Sequence, residues 1–424
     1  MTADDDDWPI RTVARADIVE HLLIWHFGHA FEGVDGIAAR REIGQAIDRW
    51  LDLGLKCARS QIGEQLFDPV EVQNFLMDAG LRGDDEFWER HCVRMQRGLL
   101  LSWHGAATDP DRIAAPADLP PRRFRVDLER EYGAASGSRL RLRLPLPIAD
   151  HALRDLAIEY RVPPQATAAI KPAMLDASLV LDPPAPVTLG FTADFSAHVD
   201  TGAAGSLSDE DRALFTAPQE QLIGVTPTIA AMAQNAAQGH GDDWTKVTAL
   251  FDYLNDNFRL GGVPYHALDL HDPAAWSIRT GIADCQIASA LFCGMCRSLA
   301  IPARIVSGFQ LYAFNHAYHY WAEVWIEGRG WLSFDFNSWM LSCGGRDLAW
   351  RRVHMGVMDY RLKVQVLPRL FTGPSTIRLP RAWHMLMQRL PEGFENRFID
   401  AYTGAHVYSD RLFLRPTGSG QIAA

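Results

Sequence analysis

Between Tyr318 and Asp335 the chain can hardly be anything but a hairpin. Tyr318-His319-Tyr320-Trp321-Ala322-Glu323-Val324-Trp325-Ile326 and Trp331-Leu332-Ser333-Phe334 are aromatic and β-branched runs separated by Glu327-Gly328-Arg329-Gly330, the composition of two antiparallel strands joined by a glycine turn. Side chains alternate between faces along a strand, so the loop length decides which residues meet. If Trp325 and Trp331 close a five-residue loop, Asp335 lies opposite Trp321 and diagonal to His319 on one face, roughly 7 to 8 Å apart before the side chains reach across. A four-residue loop puts them on opposite faces.

A second segment precedes this hairpin. At Gly281-Ile282-Ala283-Asp284-Cys285 a glycine turn delivers the chain into the apolar run Gln286 to Phe292, which reads as a helix with a cysteine in its first turn. Free backbone N–H groups and the positive end of the helix dipole favour thiolate there. Taken alone, the segment fits a buried structural cysteine as well as a nucleophile. The hairpin tips the reading: a thiolate needs an imidazole to exchange its proton with, and the imidazole needs an acceptor to fix its tautomer. Cys285, His319 and Asp335 fill those three roles in that order.

The rest of the chain frames this core. Apolar residues recur at three- and four-residue spacing from Asp17 to Trp103 (Ile18, Leu22, Trp25; Ile43, Ile47, Trp50; Leu76; Trp103), which predicts a helical unit of about four helices within residues 1–110. Pro69 after Asp68 is placed to open its third helix. Pro110, Pro116, Pro120 and Pro121 mark a linker. Period-two alternation at Phe124, Val126, Leu128 and at Leu140, Leu142, Leu144 then predicts an antiparallel β domain over 122–205. A catalytic core over 206–343 follows, its helices beginning near Ser208 and at Asp242-Asp243, and residues 344–424 form an extension that completes or flanks it. The expected class is α+β.

Over 424 residues the chain carries 41 Lys+Arg against 52 Asp+Glu, a formal charge of −11, the wrong sign for neutralising a phosphate backbone. Nucleic acid is therefore not expected as a partner. Met1-Thr2-Ala3 followed by Asp4 to Asp7 lacks the basic and apolar regions of a secretion signal, and no apolar run is long enough to span a bilayer. The expectation is a cytoplasmic protein with no membrane partner, its Asp4 to Asp7 run solvated and most of its six cysteines buried thiols.

Four ordered blocks resemble the transglutaminase-like superfamily of papain-fold cysteine enzymes: Gly281 to Leu291, Arg297-Ser298-Leu299-Ala300-Ile301-Pro302-Ala303-Arg304-Ile305-Val306-Ser307-Gly308, His319 to Val324, and Gly330-Trp331 leading to Asp335. The resemblance covers about residues 240–340, and more loosely the strand Leu140 to Pro147, similar to the β region before the core in some bacterial members. It implies Cys285 as nucleophile, His319 as general base and acid, and Asp335 as the residue that orients it. Phe336 and Ala300 stand where the family usually has proline after the aspartate and glycine before Ile-Pro.

The implied chemistry is acyl transfer through a thioester on Cys285. Its expected form is hydrolysis of a peptide or amide bond, with amide-bond formation or cyclisation in peptide or natural-product biosynthesis as the alternative, and a non-catalytic peptide-binding scaffold as a third reading. The partner would be a peptide or protein, including a carrier-bound or precursor peptide, and no metal or organic cofactor is called for. The Cys285 backbone N–H is a first oxyanion donor. Trp276 and Asn257 are candidates for a second, and Trp321 for a substrate contact or cleft wall.

Rival readings attach to nearby residues. Cys293-Gly294-Met295-Cys296 has the spacing of a metal half-site or redox pair but lacks a second pair, and reads as core packing. His316 could be mistaken for the base. Glu323 shares the His319 face and reads as a buried structural acceptor, while Cys57 and Cys92 lie on helical faces and read as buried.

Overall fold

The computed structural model describes residues 12–25, 36–82, 97, 119–133, 139–171, 173–181, 183, 185–220, 222–264, 268–269, 272–312, 318–367, 383–390, 393–400 and 406–417. Asp4 to Asp7, Cys92, His316, the stretch leading to Trp103 and most of the proline-marked segment lie outside them.

Six helices matter for the site: α1 (Arg15–Trp25), α2 (Gly36–Asp52), α3 (Pro69–Arg82), α4 (Pro227–Ala236), α5 (Asp243–Asn257) and α6 (Cys285–Ser298). Their starts follow local chemistry. Pro69 sits at the first position of α3, where its fixed φ suits the turn, and Asp68 Oδ1 accepts from the Val70 N–H at 2.8 Å. Asp242 caps α5 by accepting from Thr245 N–H at 2.9 Å. At the far end of α6, Ala300 N–H donates to Arg297 and Ile301 N–H to Cys296, each at 3.0 Å. These are the paired bonds that satisfy the last carbonyls of a helix when the next residue turns left-handed. That residue is Ala300, at φ +60°, so the position where the resembled family places glycine needs a glycine conformation.

Thirteen of the described strands build the three larger sheets: β1 (Arg122–Tyr132), β2 (Leu140–Pro145), β3 (Leu153–Arg161), β4 (Thr167–Lys171), β5 (Met174–Leu179), β6 (Val187–Ala197), β7 (Ala303–Gln310), β8 (Tyr318–Ile326), β9 (Gly330–Phe334), β10 (Arg361–Leu367), β11 (Trp383–Leu390), β12 (Gly393–Asp400) and β13 (His406–Pro416). They form a four-stranded sheet ordered β9-β8-β7-β10, a six-stranded sheet ordered β11-β12-β13-β1-β6-β3, and a three-stranded sheet ordered β2-β5-β4. All three are antiparallel. The class is α+β.

The tail does not stay together. β10 completes the four-stranded sheet, and β13 pairs with β1 along its length, from Tyr408↔Tyr132 to Pro416↔Phe124. Alternation in β1 and β2 buries Phe124, Val126, Leu128, Leu140, Leu142 and Leu144. These join Leu175 and Phe191 in a core that reaches Phe309, Leu362 and Val364 of the four-stranded sheet.

The N-terminal helices share a core with α6 and do not close one of their own. Ile18, Leu22, Ile43, Ile47, Trp50 and Leu76 belong to one buried cluster with Ile229, Phe251, Leu291, Phe292 and the sheet residues Ile305, Val324 and Phe334. A small sheet of Val13–Ala14, Gln65–Phe67 and Ala58–Arg59 sits among them, and strands of two or three residues are too short to reveal a period. Among the described residues no helix is long and apolar enough to cross a membrane.

Candidate active site

A helix over Ala274–Thr280 ends at Gly281, whose φ of +68° lets its N–H return to the Ser277 carbonyl at 2.8 Å; a side chain at this left-handed position would be strained. The chain then runs through Ile282–Ala283, paired in parallel with Arg259–Leu260. Asp284 stops it by capping α6, its Oδ1 accepting from Ile287 N–H at 2.8 Å. Cys285 is the first helical residue, half-buried and unpaired by disulfide, at the positive end of the helix dipole.

The hairpin register puts Trp325 opposite Trp331 and Ala322 opposite Phe334. Continued by one residue, it sets Asp335 against Trp321 and diagonal to His319. The two side chains meet: His319 Nε2 lies 2.8 Å from Asp335 Oδ1 and 2.9 Å from Oδ2. With Nε2 occupied, Nδ1 is the nitrogen left for another partner, and Cys285 is among the groups that act on this ring. Burial opposes charge on His319, but Asp335 and Cys285 outweigh it and push the ring's pKa up to about 10. Burial likewise opposes ionisation of Asp335, and here His319, then Arg361, prevail and hold the carboxyl well below the usual range.

His319 also depends on its other neighbour. It pairs across the sheet with Gly308 of β7, where β7 and β10 shift register between Ser307 and Gly308. A Cβ on Gly308 would lie 2.0 Å from the Leu362 carbonyl oxygen, so only glycine fits that approach.

Behind the pair lies a buried charged group that no sequence motif announced. Arg361 Nη2 donates to Asp335 Oδ2 at 3.2 Å and to the Tyr312 hydroxyl at 3.1 Å, and lies 3.0 Å from Asp359 Oδ1. The wholly buried His354 ring is 4.0 Å from Asp335 and 3.7 Å from Asp359, and its backbone carbonyl accepts from Asp335 N–H at 3.2 Å. Burial pushes the His354 pKa down, leaving it neutral. Tyr320 meets the Tyr318 ring edge-on, 5.4 Å between centroids, and burial drives its hydroxyl pKa well up.

Other residues singled out by sequence lie further off. Trp276 is half-buried and packs with Val263, Leu268 and Ile287 near the start of α6. Asn257 is exposed and spends its amide N–H on the Tyr253 carbonyl at 2.9 Å, so it is not aimed at Cys285. Trp321 is 1% exposed and packs with Val306, Met358 and Val366, which leaves no surface for a substrate. Glu323, fully buried, accepts from Arg304 Nε at 2.8 Å and lies 2.6 Å from Lys363 Nζ, a structural ion-pair centre. Cys293 and Cys296 are sealed in the core, and Cys57 is half-buried.

Residues 230–336 match the transglutaminase-like superfamily. No curated protein matches the sequence. Among solved structures, the chain is similar to a candidate cysteine protease from Cytophaga hutchinsonii at 13% identity, covering 72% of this chain and 93% of that one with a TM-score of 0.44. It is also similar to the periplasmic domain of TgpA from Pseudomonas aeruginosa, at 16% identity, 60% and 96% coverage and a TM-score of 0.31. A candidate protease from Parabacteroides distasonis aligns at 10% identity, 68% and 70% coverage and a TM-score of 0.24.

Proposed function

Starting from residues 230–336 as a core of the transglutaminase-like superfamily, we propose that this chain is a cysteine-dependent acyl-transfer enzyme that hydrolyses a peptide or amide bond. The observation that carries the reading is the His319 Nε2 contact with both oxygens of Asp335 while Cys285, at the first turn of α6, is that ring's neighbour. His319 takes the Cys285 proton through Nδ1, and the thiolate attacks the carbonyl carbon. The carbon–nitrogen bond breaks, the His319 proton leaves with the amine, and a thioester remains. Water then gives a proton to His319 and attacks the thioester, releasing acid and returning the thiol. Asp335 holds the ring in one tautomer and offsets its charge. The Cys285 backbone N–H stabilises the oxyanion.

The test is mass spectrometry of Cys285 after mixing the protein with a peptide library, in water and with an added primary amine. An acyl adduct on Cys285 that decays to free acid supports the proposal. Amide products in place of acid would redirect it to aminolysis, and no adduct together with an ordinary alkylation rate at Cys285 would overturn it.

A further inference from the structure

The triad alone does not account for the charges buried behind it. Asp359 is 2% exposed and Arg361 7%, and neither touches the thiol. Arg361 nevertheless holds Asp335 and Asp359 with one nitrogen, at 3.2 and 3.0 Å. With His354 neutral, Asp335, Asp359 and Arg361 sum to one negative charge when the His319 ring is neutral. The sum is zero when the ring is an imidazolium. In a buried site an uncompensated charge is costly, so this group favours the protonated ring and thereby the proton transfer from Cys285.

The other charged neighbours leave that balance standing. A small cavity beside Asp359 and Arg361 is also lined by Asp150, Asp200 and Lys363. Lys363, 2.6 Å from both Asp150 and Glu323, and Arg304, which donates to Glu323 at 2.8 Å, together offset those two carboxylates, and Asp200 pairs with His151 at 2.6 Å. Tyr312 remains a neutral phenol, its pKa raised by burial. The Arg361 Nε and Nη1 atoms and both Asp359 oxygens are buried without a hydrogen bond to the described protein atoms. The pair is not laid out to satisfy itself locally: Arg361 Nη2 is shared with Asp335 and with the Tyr312 hydroxyl.

We propose that Asp359 and Arg361 are positioning residues which, acting through Asp335, set how readily His319 accepts the proton of Cys285. This rests on the cysteine-dependent reading above. Arg361 orients the Asp335 carboxylate, and Asp359 supplies the second negative charge that keeps Arg361 from cancelling the first.

The test follows iodoacetamide alkylation of Cys285 against pH by mass spectrometry, which needs no substrate. Asp359→Asn should raise the midpoint of the rate profile by about one pH unit, roughly tenfold slower alkylation below the midpoint. Arg361→Gln should lower the midpoint, and the double variant should return it close to that of the unaltered protein. A purely structural role would move both single variants the same way or neither. Each variant that folds carries its own predicted sign, and the charge-compensated double variant serves if a single one unfolds. An unshifted or same-direction result, with rapid alkylation retained in the unaltered protein, overturns this pairing alone. Ordinary thiol behaviour in the unaltered protein sinks both this inference and the proposed function.

Discussion

Asp335 offers both carboxylate oxygens, at 2.8 and 2.9 Å, to a single nitrogen of His319. Only an acceptor can do so against a ring N–H. In Asp335→Asn one of the two atoms facing that nitrogen becomes an NH2, which costs either the Arg361 donor on Oδ2 or the Asn337 N–H donor on Oδ1, and the ring takes the wrong tautomer. The expected result is a fall in kcat on the order of a hundredfold to ten-thousandfold with little change in KM. An equal rise in KM would show that Asp335 shapes the binding surface.

Cys285 is half-buried and makes no disulfide, so Cys285→Ala should leave thermal stability within about 1 kcal/mol of the unaltered protein while turnover vanishes. Measurable turnover in the variant would assign the nucleophile elsewhere.

The cap beneath the thiol is a separate lever. Asp284→Ala removes the acceptor for Ile287 N–H and should cost about 1 kcal/mol by denaturant unfolding. Slower alkylation of Cys285 should accompany it, since the helix start then frays where the thiol sits. Unchanged stability would mean that α6 is held by packing alone.

The pH dependence has a definite sign. His319 is raised from 6.5 to about 10 in the folded protein, so its contribution is complete below about pH 6.5 and disappears as pH climbs toward 10. Asp335 is lowered from 3.8, so its contribution is present above that value and is lost on acidification below it. The melting temperature should therefore decline from pH 6.5 to pH 10, and His319→Gln should flatten much of that decline. Parallel curves for the two proteins would refute the assignment.

Ala300 at φ +60° pays for the end of α6 with strain. Replacing it with glycine should stabilise the protein by roughly 0.5 to 1 kcal/mol, the relief of a left-handed alanine less the extra freedom glycine gains when unfolded. A loss of stability in chemical denaturation would place the strain elsewhere.

How far the chain could be read in advance depended on how local each feature is. The hairpin register follows from counting residues across one glycine turn, and the cap of α5 from Asp242 preceding an apolar run, so both are legible. The pairing of His319 with Asp335 follows from that register. Arg361, Asp359 and His354 are different. Arg361 opens the alternating strand Arg361–Leu367, and His354 and Asp359 lie in the turns and loop before it; spacing there does not say which neighbour a charge will meet, and a charged residue looks like a solvated one. The helices α1 to α3 announce an apolar face through spacing, but spacing does not say that the face meets α6. Trp321, chosen for its neighbours in sequence, turned out to be sealed inside.

The segment that matches the superfamily ends at residue 336, and β10 begins at Arg361. The unit of resemblance is thus shorter than the unit of folding. A fragment cut at that boundary would keep Cys285, His319 and Asp335 yet leave the backbone of β7 as an open edge, with Asp335 deprived of its guanidinium. During synthesis the three residues are all made well before the strand that secures them, so the chain carries its reactive groups for a time without the means to aim them.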